Sequence, residues 1–264
     1  LYFRNLNIGN GLSHNKVNCV LQDKRGFMWL GTDDGLNRYD GYRFEIFRHD
    51  PTQPSSISGN MITDMVEDSA GILWIATADG GLTRYDYRLP PATQFKQYKH
   101  SAADPASIPL NIINALIEDN LGNLWLATSG HGVLRFNKQT EEFTEPIRRR
   151  SRTYLDLAVG PDGRIWAGRQ GGGLVKIDPY NMDMEEDPRY NDVYAGLPHM
   201  TVASIYKDRQ NNMWMGSWDK VIYRIRPNQK EEVFANTGGP FCFPGDDPLA
   251  FAEDKHGLFW IGGQ

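Results

Sequence analysis

The stretch Asp23-Lys-Arg-Gly26-Phe-Met-Trp29-Leu-Gly31-Thr-Asp-Asp-Gly35-Leu-Asn-Arg-Tyr39-Asp40 decides the fold. An aspartate opening a turn that closes on a glycine three residues later is a hairpin signal, because glycine adopts positive φ without steric cost. The run Phe27 to Gly31 is then a short apolar strand centred on an indole, and Gly35 starts another strand.

Outward from this copy, tryptophans recur at 29, 74, 125, 166, 214 and 260, spaced by 45, 51, 41, 48 and 46 residues. Three residues before each stands Gly26, Gly71, Gly122, Gly163, Asn211 or Gly257, and asparagine is the usual non-glycine residue at positive φ. Six residues before it stand Asp23, Asp68, Asp119, Asp208 and Asp254, with Gly160 breaking the series, so the unit reads D-x-x-G-x-x-W. The seventh tryptophan, Trp218, lies outside this register.

Apolar-rich runs precede the turns, as at Val17 to Leu21, Ile62 to Val66, Ile113 to Ile117 and Val202 to Tyr206. They are expected to form a first strand, A. The tryptophan runs form strand B, and the residue two past each tryptophan is always Gly or Ala, which marks a close approach. Strand C begins at pairs such as Gly35-Leu36 and Gly81-Leu82, and an outer strand D follows at Phe44 to Arg48 and Gln94 to Tyr98.

Four short antiparallel strands repeating every ~45 residues are the pattern of a β-propeller blade. The fold class is therefore all-β, a β-propeller of four-stranded antiparallel blades, with five full blades and parts of others. One such sheet cannot cover both faces alone, so the six repeated tryptophans are expected between blades. A single domain over 1–264 is expected. The sixth copy stops at Trp260-Ile-Gly-Gly-Gln264, before its strand C, so the chain reads as a fragment truncated within the sixth repeat. The opening Leu1 to Ile8 reads as a strand D.

Composition narrows the partners. With 28 Lys and Arg against 33 Asp and Glu the formal charge is −5, which opposes direct contact with nucleic acid. No stretch approaches the ~20 apolar residues needed to cross a bilayer. Cys19 and Cys242 make neither a disulfide framework nor a zinc site, the six histidines lack metal-ligand spacing, and no cofactor or metal is expected. The basic run Arg148, Arg149, Arg150 and Arg152 reads as a solvated loop.

The copy Gly26 to Phe44 and the lead-in Phe3 to Asn15 closely resemble the two-component-regulator propeller repeat. That resemblance implies the periplasmic sensor region of a bacterial hybrid two-component histidine kinase. It further implies intact propellers of seven blades, other sensor domains of the same protein as partners, a homodimeric receptor, and an oligosaccharide or other small ligand. Histidine kinase activity would lie in domains outside this chain, which is itself expected to be no enzyme.

In a propeller the B to C loops and the D to A connections emerge at the same ends of the blades. The B to C loops offer Asp33, Asp79, His131, Arg169, Trp218 and Asp219, and the D to A connections bring Asn60, Asn111 and His199 to the same rim. Amides, carboxylates, an arginine and an indole suit a sugar, whose hydroxyls take paired polar contacts while its C–H face stacks on a ring. The same residues also fit a purely structural role as strand caps and turn acceptors. On strand A, Asp64 and Asp156 either reach a ligand or bond neighbouring amides.

Two other function classes stand beside the sensor. A propeller glycosidase needs two carboxylates ~5 to 9.5 Å apart, for which Asp33, Asp79 and Asp219 are candidates. A scaffold that docks proteins on its rim needs no special chemistry. No Walker loop, HExxH, GxSxG or paired CxxC motif occurs.

Overall fold

The computed structural model describes residues 5–145, 152–186, 201–227, 231–235, 247–254 and 256–263. Strands β1 (Val17–Gln22), β2 (Met28–Thr32), β3 (Gly35–Tyr39) and β4 (Phe44–Phe47) form the first sheet, and β5 (Ile62–Glu67), β6 (Leu73–Thr77), β7 (Leu82–Tyr85) and β8 (Phe95–Tyr98) the second. The third holds β9 (Ile113–Glu118), β10 (Leu124–Thr128), β11 (Val133–Asn137) and β12 (Glu142–Thr144). The fourth holds β13 (Tyr154–Val159), β14 (Ile165–Arg169), β15 (Leu174–Ile177) and β16 (Met184–Glu186). The fifth holds β17 (Val202–Lys207), β18 (Met213–Ser217), β19 (Val221–Ile225) and β20 (Glu231–Ala235), and β21 (Pro248–Glu253) pairs with β22 (Phe259–Gly263) in a sixth. Every sheet is ordered sequentially along the chain, so these are propeller blades.

Where the D-x-x-G-x-x-W unit is intact, it closes the A–B hairpin in two ways. The backbone N–H of the glycine or asparagine donates to the aspartate carbonyl, as from Gly26 to Asp23 at 2.8 Å, and all six of these residues sit at positive φ, Asn211 included. The aspartate Oδ2 then accepts the indole N–H six residues on: 3.0 Å at Asp23–Trp29, 2.9 Å at Asp68–Trp74, 2.7 Å at Asp119–Trp125 and 2.8 Å at Asp208–Trp214. A buried N–H is thereby satisfied within its own hairpin.

Strand A carries an irregularity at the same place in the first, second, fourth, fifth and sixth sheets, between Val17/Cys19, Ile62/Asp64, Tyr154/Asp156, Val202/Ser204 and Pro248/Ala250. The second residue of each pair lies opposite the invariant small residue of strand B, as Cys19 does to Gly31. A Cβ on Gly31 would meet Cys19 Sγ at 2.5 Å and Ile62 Cγ2 at 2.6 Å, which explains why only a small residue stands there.

The described residues fall into two compact units: one runs to Glu118 and includes Gly122–Leu124 and Phe136–Phe143, and the other holds Asp119–Leu121, Trp125–Arg135 and the chain from Thr144 onward. In the first unit one core joins Trp29, Leu36 and Ile62 to Leu73, Ile75 and Tyr85, so side chains of the first and second blades share it. Trp29 meets Tyr85 edge-on at 5.3 Å between centroids, and Trp74 meets Phe136 likewise at 5.5 Å. In the second unit Trp166, Leu174 and Ala158 share a core with Ile205, Met215 and Tyr223. At ~25 cal/mol per Å² over 150–250 Å², each fully buried indole contributes up to roughly 4–6 kcal/mol.

Trp29, Trp74, Trp125 and Trp166 are buried as expected, Trp214 is partly buried, and Trp260 differs. Its ring is 41% exposed, in a sheet that has two strands among the described residues. The strand D expected over Leu1 to Ile8 falls in part on Leu1 to Arg4, which lie outside the described residues; residues 5–7 carry no strand, and Ile8–Asn10 is a 3-10 turn capped by Asn7. No helix among the described residues is long and apolar enough to cross a membrane.

Candidate functional site

The B–C loops are built by one device in the first three blades. A strand-B threonine turns its hydroxyl onto the carbonyl of the glycine that starts or precedes strand C: Thr32 to Gly35 at 2.9 Å, Thr77 to Gly81 at 2.9 Å and Thr128 to Gly132 at 2.8 Å. This closes the turn and leaves the residues between to face outward.

In the first unit the candidate residues are largely engaged in holding the loops. Asp33 accepts from Asn18 Nδ2 at 2.8 Å and pairs with Lys16 Nζ at 3.1 Å, and the Asn18 bond with the lysine charge holds its carboxyl below the usual range. Asp79 accepts the amides of Asn60 at 3.1 Å and Met61 at 3.3 Å. Asn60 accepts the His49 amide at 2.7 Å, and Asn111 the His100 amide at 2.7 Å, so each amide side chain closes an eleven-residue D–A loop. The histidine rings brace these loops from inside, with His49 Nδ1 at 2.8 Å from the Ile57 carbonyl and His100 Nδ1 at 3.0 Å from that of Ile108. Sequence reading missed both histidines, although each stands eleven positions before its asparagine.

Asp64 and Asp156 sit at the strand-A irregularity of their blades and bond across to the following blade. Asp64 accepts its neighbour Met65 N–H at 2.8 Å and Leu116 N–H at 2.7 Å, and Asp156 accepts Leu157 N–H at 2.8 Å and Ile205 N–H at 2.6 Å. Of the two roles open to them from sequence, the backbone-binding one is the geometry seen. Burial pushes the Asp64 carboxyl up to about 6 against the pull of the two amides, and burial together with the Asp64 charge raises the nearby Cys19 thiol.

The second unit gathers its candidates differently. In the fourth blade Arg169 takes the place of the loop threonine; its guanidinium lies against Gly172, and its Nη1 is 3.3 Å from Glu186 Oε1. The same oxygen takes Arg152 Nη1 at 3.2 Å. The Arg152 carbonyl in turn accepts the amides of Gly130 and Gly132, both at 3.3 Å, which sets the His131 loop beside this pair of arginines. His131 Nδ1 is buried, accepts and donates no hydrogen bond among the described residues, and approaches Glu145 Oε1 to 3.8 Å.

Thr201 links the next loop: its hydroxyl accepts Gly171 N–H at 2.9 Å and its carbonyl accepts Trp218 N–H at 3.2 Å. The Trp218 indole is 42% exposed, and Asp219 N–H donates to Ser217 Oγ at 3.1 Å. His199 lies outside the described residues. The result is a band of His131, Arg152, Arg169, Glu186 and Trp218 on the B–C ends of one unit, in which Arg169 is buried against Glu186 while Arg152 and the Trp218 ring remain partly open to a polar ligand.

Repeated four-stranded antiparallel blades define the protein as a β-propeller. The model of the two component regulator propeller family matches residues 11–34, 56–79, 107–130 and 196–219, so these four stretches are similar to that repeat. It is similar to Histidine kinase P4 of Formosa agariphila, 49% identical over 49 residues, which are 19% of this chain and 4% of that protein. In structure it is similar to extracellular domains described as those of hybrid two component systems of B. thetaiotaomicron. BT3049 gives a TM-score of 0.71 at 23% identity over 98% of this chain and 40% of that one. BT4673 gives 0.74 at 23% identity over 96% of this chain and 33% of that one. The chain thus spans well under half the length of these relatives.

Proposed function

We propose that this chain is part of the extracytoplasmic sensor region of a hybrid two-component signalling protein, located in the periplasm. It binds an oligosaccharide or another small ligand at the B–C loop ends of the third to fifth blades and has no catalytic activity of its own. The observation that carries the reading is the departure of Arg169 and Trp218 from the residues that stand at these loop positions in the other copies of this chain, on a scaffold four of whose repeats match the family model. Divergent loops on a conserved frame are where a propeller gains a private ligand.

Signalling would require the ligand to favour one arrangement of a dimeric receptor, through a difference in its affinity for the two arrangements. The kinase that answers would lie in other domains of the same protein. A glycosidase acid needs a carboxyl raised toward neutrality, whereas Asp33 is held low by Asn18 and Lys16, which speaks against it in that role.

Calorimetry of the complete extracytoplasmic region against defined oligosaccharides tests the reading. Saturable binding that Trp218→Ala weakens by about tenfold, the loss of one stacking contact, is expected. Cleavage of a glycoside by the purified protein would overturn it, as would an absence of binding combined with specific capture of a protein partner.

A further inference from the structure

The junction between the fourth and fifth blades has lost, together, the groups that lock its counterparts. At three other junctions the amide after the repeat aspartate donates to a glutamate at the end of the next blade's strand A: Lys24 to Glu67 at 2.8 Å, Ser69 to Glu118 at 2.8 Å and Arg209 to Glu253 at 2.9 Å. In the fourth blade that donor is Pro161, which has no N–H, and the facing acceptor position holds Lys207. The repeat aspartate is itself replaced by Gly160, so two carboxylates and one amide are gone and a lysine has been added.

The consequence falls on Trp166. It is 4% exposed, and its Nε1 is a buried donor without a hydrogen-bond partner among the described residues. Leaving such a donor unpaired is destabilising, and such a group calls for an explanation. The A–B turn keeps its backbone bonds, Gly160 N–H to the Arg164 carbonyl at 2.8 Å and Gly163 N–H to the Gly160 carbonyl at 3.0 Å, so the hairpin does not need the missing acid.

Beside Trp166 opens a small groove that is continuous with solvent. Pro161, Met213, Ile225 and Pro227 give it an apolar floor, Lys176 and Arg226 bring cations, and Asp162 stands at its edge. Lys176 Nζ lies 4.2 Å over the Trp166 ring, and Arg226 is held by Glu232 at 2.7 Å. Asp162 is exposed and its Oδ1 accepts the Arg164 amide at 3.2 Å, and the Trp166 indole packs against Gly160, where an added Cβ would meet Trp166 Nε1 at 2.3 Å and Asp162 Oδ1 at 2.6 Å.

We propose that this groove binds a small carboxylate-bearing ligand with a ring body, whose carboxylate accepts the Trp166 indole N–H in place of the missing aspartate. Rotation of the exposed Asp162 side chain uncovers the N–H, Lys176 and Arg226 balance the charge, and the ring lies on the prolines. The site is at the A–B turn ends of the strands, opposite to the B–C loops, and its occupancy does not depend on the ligand proposed there.

The test is a titration of the full chain with glucuronate, and separately with glucose, which lacks only the carboxylate, followed by the tryptophan indole N–H signals in ¹H–¹⁵N spectra. Trp166→Phe assigns the Trp166 signal and keeps a ring in the core. Glucuronate should move that signal downfield saturably while glucose leaves it in place. Trp166→Phe should weaken glucuronate binding about tenfold, the loss of one hydrogen bond to a charged group. Asp162→Ala should tighten binding. A Trp166 signal that ignores glucuronate, or responds equally to glucose, overturns the proposal, and so does binding unaffected by Trp166→Phe.

Discussion

Asp64 Oδ2 accepts the Leu116 amide at 2.7 Å, so an acid on the second blade's first strand is bonded to the backbone of the third blade's first strand. Its other oxygen takes the amide of Met65 at 2.8 Å. The acid stands at the strand-A irregularity of its own blade, where a short side chain reaches both N–H groups.

A pH dependence follows from this acid. Its folded pKa, about 6, lies above the ordinary aspartate value, so protons bind the folded state more tightly. Its contribution is greatest below pH ~4 and is lost as pH rises through about 6, with an upper limit near 3 kcal/mol that solvent access reduces. In urea titrations at pH 4 and pH 7.5, Asp64→Asn should flatten this part of the profile relative to the unaltered chain. An unchanged difference between the two pH values would contradict the assignment.

The hairpin acid Asp68 should behave in the opposite sense. Burial pushes its carboxyl up, but Lys138, Trp74 and the Ile72 amide together hold it below the ordinary value. Its stabilisation is therefore present above pH ~4 and is lost on acidification. Asp68→Ala leaves the Trp74 N–H and Lys138 without this acceptor and should cost about 3–5 kcal/mol at neutral pH, read from the denaturation midpoint.

At Gly31 the backbone is unremarkable in φ, and the constraint is steric. Gly31→Ala should destabilise by about 1–3 kcal/mol through contact with Cys19 Sγ and Ile62 Cγ2. Adding Cys19→Ala should recover only part of this, because Ile62 remains. Full recovery in the double variant would show that Ile62 yields freely.

Asn111 closes the loop from His100 by accepting its amide, and Asn60 does the same for His49. Asn111→Ala should cost about 1–2 kcal/mol and expose residues 101–110 to limited proteolysis ahead of the rest of the chain. Cleavage elsewhere first would place the weak point in another loop.

The blade was legible because its repeat is held by residues that only one geometry satisfies. The D-x-x-G-x-x-W spacing is the spacing of a hydrogen bond between carboxylate and indole across a hairpin, and a glycine or asparagine must take its positive φ. Strand limits followed to within about a residue. The binding rim was less legible: Asp79, Asn60 and Asn111 have the side chains of a sugar site but spend them on nearby amides, a distinction that depends on loop closure rather than composition. The connection of Arg152 to Arg169 through Glu186 was hidden too, because its members are 17 residues apart or more and no repeat links them. The vacancy at Gly160 was visible as a broken series, while its meaning needed the orphaned Trp166 donor.

The lock between Asp23 and Trp29 is internal to one hairpin, and the stitch from Lys24 to Glu67 engages a main-chain N–H that every residue but proline possesses. A duplicated copy of the unit therefore carries its own fastening and can follow any other copy without altering its neighbour's side chains. Such a chain can lengthen by gene duplication and let its loops drift, and a proline at the stitching position is the sort of single change that frees one seam for a new purpose.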